Sequence, residues 1–373
     1  MSAKLFSEIP VGGLTLRNRI IVAPMCQYSA ADGVANDWHL MHLGQFAVAG
    51  VGLLFTEATA VTPEGRISPG CLGLWNDAQE AALKHVVDFC KSYGNTQLGI
   101  QLAHAGRKGS TDMPWAGGKP IAPSDARGWK NCAPSATPYA EGWDVPDALD
   151  DAGLKQLIHD FVVAAERADR IGFDVVELHM AHGYLMHQFF SPLSNQRNDS
   201  YGGSIEGRMK FPLEVFEAVR AVWPRHKALG VRLSATDWVE SSSWNIDEAT
   251  MFCEALKKRG VDFVDISSAG NSPLQKIDVG PGYQTGFAAD IKRATDLPTM
   301  AVGQITDPRQ AEAILRSGQA DMIALARGML FNPHWAWHAA EVLGADAVYP
   351  PQYMRTNKAL RGLPVPGNPP QPK

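Results

Sequence analysis

Short apolar runs, rich in β-branched residues and each closing on small or polar ones, recur at wide spacing along this chain. They cover residues 19–25, 52–60, 98–104, 173–179, 229–235, 261–268, 299–303 and 321–327. Most of the intervals carry apolar residues at the three-to-four-residue spacing of an amphipathic helix. Such patterns span residues 77–93, 151–171, 204–223, 247–259, 286–295 and 307–317. Gly94, Gly172, Gly260 and Gly318 stand just past helical stretches, where a C-terminal cap favours positive φ. Eight strands alternating with helices predict an α/β fold, a single (β/α)8 TIM barrel with parallel strands buried on both faces. A doubly wound sheet would share the same alternation.

One interval is too long for a simple connection. Residues 106–150, after the third strand, carry six prolines together with Trp115, Trp129 and Trp143. Long loops are functional or disordered, and three tryptophans argue against disorder. We expect a cap over the C-terminal face of a barrel domain spanning residues 1–358. Residues 359–373 form a proline-rich tail, with five prolines in 363–373, expected to be extended and mobile.

Composition narrows the function. The formal charge of −5 and the absence of a long charge run argue against nucleic acid or an anionic membrane as partner. No stretch approaches the ~18 uninterrupted apolar residues of a membrane span. Residues 1–19 lack the apolar stretch of a signal peptide. Cys26, Cys71, Cys90, Cys132 and Cys253 are scattered and form no C-x-x-C pair, so a disulfide framework and a thiolate zinc site are not indicated. A cytoplasmic protein is expected.

In barrels of this kind chemistry gathers at the C-terminal ends of strands. Those ends hold Ala23-Pro24-Met25-Cys26-Gln27-Tyr28, Glu57-Ala58-Thr59, Gln101 to His104, His179 and His182, Arg232, Ser267-Ser268, Gly303 and Ala326-Arg327-Gly328. The set is rich in neutral hydrogen-bonders and arginine and poor in carboxylates. That suits a large heteroaromatic cofactor better than hydrolysis. Gly303 and Ala326-Arg327 end the last two strands, the usual phosphate site of such barrels. No G-x-G-x-x-G or Walker loop is present, which points to a mononucleotide. The run His179-Met180-Ala181-His182-Gly183-Tyr184 places two imidazoles and a phenol where a strand gives way to a loop. Two hydrogen-bond donors and a weak acid around one substrate atom fit it. A zinc site completed by Cys26 or His104 is a second possibility, and a purely structural pair a third.

These segments together resemble the old yellow enzyme family of FMN-dependent ene-reductases, in its xenobiotic-reductase or thermophilic-like branch. The resemblance runs from Leu14-Thr15-Leu16-Arg17-Asn18-Arg19 to Gln352-Tyr353-Met354-Arg355. It is carried by residues 23–28, by 57–61, by 63–67, by Gln101-Leu102-Ala103-His104-Ala105-Gly106-Arg107-Lys108, and most strongly by His179-x-x-His182-Gly183-Tyr184 followed by residues 191–204. One departure is Gly207, where the family usually has Asn before the arginine that is Arg208 here.

The resemblance implies a (β/α)8 barrel that binds FMN non-covalently on the backbone of Ala23, Pro24, Met25 and Cys26, near Ala58. Gln101 and Arg232 would face the ring, and Gly303, Ala326 and Arg327 the phosphate. Cys26 would tune the flavin and Tyr28 would face substrate. His179 and His182 would bind the substrate's carbonyl or nitro oxygen, and Tyr184 would supply a proton after hydride transfer from the flavin, in a ping-pong cycle driven by NAD(P)H. The substrates implied are α,β-unsaturated carbonyl or nitro compounds. Arg355 would enter a neighbouring subunit's site, implying a homodimer or homotetramer. No metal is expected. The rival is a non-redox barrel, either a metal-dependent hydrolase or a degenerate binding protein.

Overall fold

The computed structural model describes residues 3–240 and 243–357. The tail expected at residues 359–373 lies outside the described residues. Eight parallel strands close into a barrel: β1 (Ile20–Val22), β2 (Leu53–Ala60), β3 (Gln97–Ala103), β4 (Val175–Met180), β5 (Ala228–Ser234), β6 (Phe263–Ser267), β7 (Thr299–Ala301) and β8 (Met322–Leu325). Closure comes from β8 pairing with β1, with Ile323 opposite Ile20. The doubly wound alternative is therefore excluded. A hairpin of Ile9–Val11 with Leu14–Leu16 precedes the barrel, and its Ile9, Val11 and Leu16 pack on Ile21, Phe55 and Phe263.

The outer ring is α1 (Asp37–Ala47), α2 (Asp77–Tyr93), α3 (Asp151–Ile171), the short α4 (Leu185–Phe190), α5 (Ile205–Val222), α6 (Ile246–Lys258), α7 (Thr285–Thr295), α8 (Pro308–Arg316), the short α9 (Arg327–Phe331) and α10 (Trp335–Leu343). Side-chain caps start most of the longer ones. Asn76 accepts from the Gln79 N–H and Asn36 from the Trp38 N–H, while Asp150 and Ser204 accept from Gly153 and Gly207. The helical pattern had not marked α1, because Trp38, Leu40, Met41 and Leu43 give it too little of a polar face to show a period. Among the described residues no helix is long and apolar enough to cross a membrane.

Two expectations about glycine change. Gly172, Gly260 and Gly318 do take positive φ, at 102°, 80° and 76°. Gly94 does not: it is extended at φ −94°, ψ 174°. What it provides is room, since a Cβ there would lie 2.6 Å from the Ala47 carbonyl oxygen. Gly207, the departure from the family pattern, is packed the same way. A Cβ on it would meet the Gly202 carbonyl oxygen at 2.2 Å, so a larger residue would have to push the preceding turn aside. The neighbouring Arg208 still anchors α5, donating to the Phe190 carbonyl and to Glu248.

Period-two alternation divides the strands between two environments. Val176, Leu178 and Met180 of β4 join the core between barrel and helices. The other face of each strand turns into the barrel. Its lower layer is apolar, built on Ile21, Leu53, Phe55, Val175, Phe263, Met300 and Met322. Phe55 and Phe263 sit with ring centroids 6.3 Å apart. Two inward glycines make room for them: a Cβ on Gly99 would lie 2.5 Å from the Phe55 ring, and one on Gly230 2.1 Å from that of Phe263.

One layer up, the same faces present Gln101, Glu177, Arg232 and Asp265, all buried. Gln101 Nε2 donates to Glu177 Oε1 at 2.7 Å, and Arg232 Nε lies 3.2 Å from Asp265 Oδ2. The strand ends had read as carboxylate-poor. The structure corrects that, because Glu177 and Asp265 stand one inward step below the ends. Burial, then the charge of Asp265, raises the Glu177 carboxyl to about 8.

Residues 106–150 fold into short pieces, including the turns Gly106–Lys108 and Pro114–Ala116 and a two-residue strand pair, Cys132–Ala133 with Asp147–Ala148. Arg66 holds part of this stretch, with its guanidinium 4.8 Å from the Trp129 ring and 5.5 Å from that of Trp75. Trp129 Nε1 donates to the Glu64 carbonyl. Arg107 ties it to the loop after β6 through the Asn271 carbonyl at 2.9 Å.

Two measurements check the barrel interior. Gly230→Ala drives a methyl into the Phe263 ring and should cost about 1–3 kcal/mol in denaturant unfolding, as overpacking does. Glu177 is a carboxyl raised on folding, so its contribution to stability is complete below the unfolded pKa of about 4.5 and is lost as pH rises through about 8. Melting curves should therefore show Glu177→Gln becoming more stable relative to wild type as pH goes from 5 to 8; a constant difference would refute the raised carboxyl.

Candidate active site

The layered interior ends in a cluster on the C-terminal rim. His179 is the next inward residue of β4 above Glu177 and stands in register with Arg232. The chain then leaves the sheet in a turn that puts His182 at φ 60° and Gly183 at φ 71°. Such a conformation is unusual for a non-glycine residue and marks a turn held by its surroundings. The His182 N–H donates to Ser234 Oγ at 2.9 Å, and its ring Nε2 lies 2.8 Å from Ser267 Oγ. The turn is wedged against the loop after β6. A Cβ on Gly183 would lie 2.1 Å from the Gly270 carbonyl oxygen, and one on Gly270 2.4 Å from the His182 carbonyl carbon.

That turn folds the three expected catalytic rings together. The centroid of His179 lies 5.1 Å from His182 and 5.1 Å from Tyr184, edge to face in both cases. Behind them, the Gly183 N–H donates to His187 Nδ1, and His187 Nε2 meets Asp237 at 2.9 Å in full burial. Asp237 also accepts from Ser191 Oγ at 2.6 Å. This bracing pair was not picked out from the sequence. His187 sits five residues past His182 inside an apolar helix, where a lone imidazole carries little signal.

The electrostatics decide what the three rings can do. Burial first, and then the positive charge of Arg232, holds both imidazoles well below their ordinary value. Both are neutral at working pH, and each keeps one N–H to donate. Burial raises the Tyr184 phenol well above its ordinary value, and Cys26, Tyr28, Cys71 and Tyr139 add to the rise. Tyr184 is therefore a protonated phenol throughout the neutral range. The same neighbours show that the segment after β1 reaches over to the end of β4.

The remaining expected residues lie around this rim. Ala23, Pro24, Met25 and Cys26 continue from β1 out of the sheet, and Glu57 Oε2 accepts the Gln27 N–H at 3.2 Å. Ala58 follows a register shift in β2 and stands opposite Gln101 of β3. The Cys26 thiol is held well above its ordinary value by its contact with Cys71 and by burial, so it is a poor nucleophile. Tyr28 packs edge-on against Trp115 with centroids 5.6 Å apart. His104 does not join the cluster: it is buried, accepts the Gly106 N–H on Nδ1 and lies 3.8 Å from Cys132 Sγ. Among the described residues no three His, Cys, Asp or Glu side chains gather as a metal site would need.

Beside the rings, the ends of β5 to β8 enclose a cavity of about 470 Å³ lined by Arg232, Ser267, Gln284, Gly303, Ala326 and Arg327. Gly303 takes φ 129°, and a Cβ there would come 3.1 Å from Gln284 Nε2. His179 Nδ1, buried and without a hydrogen-bond partner, stands on the same rim. Two guanidinium groups, backbone at two strand ends and the carboxamide of Gln101 form the donor set of a planar, phosphate-bearing ring compound. FMN fits that set. Arg355 alone lies apart, exposed on the helical turn Pro351–Thr356, whose Tyr353 rests on Trp337.

Comparison with known proteins agrees with this geometry. The model of the NADH:flavin oxidoreductase / NADH oxidase family matches residues 4–345. An NADPH dehydrogenase of Geobacillus thermodenitrificans is 43% identical over 357 residues, covering 95% of this chain and 99% of its own. An NADH:flavin oxidoreductase of Gibberella zeae is 42% identical over 361 residues, covering 92% of this chain and 87% of its own. Among solved structures, morphinone reductase superposes with a TM-score of 0.76 at 29% identity, over 93% of this chain and 91% of its own. Morphinone reductase in complex with tetrahydroNAD gives a TM-score of 0.75. A closed barrel whose rim carries a flavin-shaped donor set, together with a family match along most of its length, places this chain in the NADH:flavin oxidoreductase / NADH oxidase family, the FMN-dependent, NAD(P)H-driven enzymes of old yellow enzyme type.

Proposed function

We propose that this ene-reductase polarises an α,β-unsaturated carbonyl or nitro compound between His179 and His182 and protonates its α-carbon from Tyr184. The observation that carries this is the meeting of three neutral hydrogen-bonding rings, with His182 and Tyr184 each 5.1 Å from His179, beside a cavity with the donor set for FMN. In this proposal Ala23, Pro24, Met25, Cys26, Ala58, Gln101 and Arg232 hold the ring system, and Gly303, Ala326 and Arg327 the phosphate. FMN, reduced by NAD(P)H, supplies the electron pair and the hydrogen that reach the β-carbon.

The protein's own share is polarisation and proton supply. Negative charge grows on the substrate oxygen as the β-carbon is reduced. Two neutral imidazoles donate to that oxygen, and Ser267 keeps the His182 ring turned toward its task. Burial, aided by the charge of Arg232, keeps both rings unprotonated. Tyr184 holds its proton until a carbanion-like α-carbon stands over it, then gives it up. Tyr28, against Trp115, lines the approach.

Arg355 is proposed to complete the site of a neighbouring subunit in a homodimer or homotetramer. Its exposure on the last described turn supports this. So does the apolar groove of about 540 Å³ beside that turn, between α1 and α2, where Met41, Phe89, Tyr93 and Tyr353 are exposed or half-exposed.

Purified protein should be yellow and release FMN on denaturation; a colourless protein that takes up no FMN would end this proposal. In stopped-flow oxidation of the reduced enzyme by 2-cyclohexenone, removing either imidazole as His179→Ala or His182→Ala should slow the reaction roughly 10²–10³-fold, the loss expected of one oxyanion donor. Tyr184→Phe should slow it about 10²-fold. Reduction by NADPH, followed separately, tells a lost step from a lost flavin.

A further inference from the structure

Lys108 ends the turn Gly106–Lys108, directly after β3. Its ammonium donates to the His182 carbonyl at 2.8 Å and to the Gly270 carbonyl at 2.7 Å. It also lies 5.1 Å from the centre of the Tyr184 ring and 4.9 Å from that of Tyr139. Among the described residues no carboxylate pairs with it. A lysine placed only for stability would be expected to find a counter-ion or reach water. This one is held by two carbonyls and two aromatic faces, with its charge directed at a phenol.

The placement follows from the wedge between two loops. The carbonyls of His182 and Gly270 come from residues at φ 60° and φ 98°, turned so that both oxygens face one point. Lys108 occupies that point and spans the ends of β4 and β6. Tyr184 follows two residues after His182, so the ammonium that closes the wedge also sits over the phenol.

We propose that Lys108 is a positioning residue of the proton-transfer step: its ammonium stabilises the phenolate left on Tyr184 when the phenol protonates the substrate. The inference rests on Tyr184 being the proton donor. In the step, the Tyr184 O–H bond breaks, its proton forms the new Cα–H bond with the electron pair of the reduced substrate, and the phenolate regains a proton from water. Burial makes Tyr184 reluctant to ionise, so without a nearby cation it would be a weak acid at the moment it is needed. An opposite charge within about 4–6 Å favours an acid's charged form by roughly 10- to 1000-fold, so its removal should slow the proton transfer by about 30-fold.

Burial and the charge of Arg107 depress Lys108 to about 7, so its charge is lost within the neutral range. The other groups around it are Arg107, Tyr139, Tyr184, His179 and His182; both imidazoles are neutral there and the phenols protonated. The wild-type rate should therefore fall as pH rises through 7.

The test is stopped-flow oxidation of reduced holoenzyme by 2-cyclohexenone, across pH, for Lys108→Met, Lys108→Arg, Tyr184→Phe and the Lys108→Met/Tyr184→Phe double variant. Lys108→Met should slow the step about 30-fold and flatten the pH profile. Lys108→Arg, which keeps its charge, should stay within about 5-fold and move the fall to higher pH. Added to Tyr184→Phe, Lys108→Met should cost less than about 3-fold. Cyclohexanone affinity, read from the flavin absorbance of the oxidised holoenzyme, should change less than about 3-fold in Lys108→Met. Equal losses from Lys108→Met with and without Tyr184, an Lys108→Arg as slow as Lys108→Met, or a matching loss of cyclohexanone affinity would each overturn the inference and leave Tyr184 as donor untouched. A Tyr184→Phe enzyme as fast as wild type would instead remove the donor itself, and this inference with it.

Discussion

The close approach of residues 182–183 to residues 270–271 is the constraint on which the site depends. Two backbone segments meet there with no space for a side chain between them, since a Cβ on Gly183 would lie 2.1 Å from the Gly270 oxygen. The approach sets the distance between the ends of β4 and β6. It also forces His182 into a left-handed conformation, which turns its ring toward Ser267 and brings Tyr184 back under His179. Lys108 closes the contact through both carbonyls, so the stretch after β3 is held by the same point. A looser contact would leave the rings in sequence order but not in one place.

Beneath that contact the barrel works as a graded interior. Phenylalanines fill the lower layer because Gly99 and Gly230 yield the space of a side chain. The next layer is polar and fully enclosed, and its charges act upward. Arg232 adds to the burial that keeps His179 and His182 neutral, while Glu177 orients the carboxamide of Gln101. Buried polar groups of this kind are costly unless paired. Here the pairs are Gln101 with Glu177 and Arg232 with Asp265, while His179 Nδ1 on the rim above keeps no hydrogen-bond partner among the described residues.

Much of the barrel was legible in the chain because a strand buried on both faces leaves a compact apolar run and an outer helix leaves a period. Each of the eight runs contains an observed strand or overlaps one closely, although β1 and β7 keep only three residues of hydrogen-bonded sheet. The ends of those runs peel away to form the rim, which periodicity does not register. Helix α1 escaped for the opposite reason, being apolar around too much of its surface. Gly94 looked like a helix cap because glycine after a helix usually is one, whereas its neighbours on the Ala47 turn impose a different need.

The residue types of the site, and their grouping at strand ends, were determined by sequence alone. His179, His182 and Tyr184 share one short segment, and Gly303, Ala326 and Arg327 each follow an apolar run. Local spacing carries that much because it follows from the strand's own geometry. The tertiary structure decided the rest. The partners of Lys108 lie 74 and 162 residues away, and those of Gln101 and Arg107 are 76 and 164 away. Which carbonyls face a lysine, which carboxylate orients an amide, and whether an imidazole is charged all depend on groups that meet only when the barrel closes. Burial then sets the protonation of His179, His182, Tyr184 and Lys108, and no stretch of chain read by itself contains its own burial.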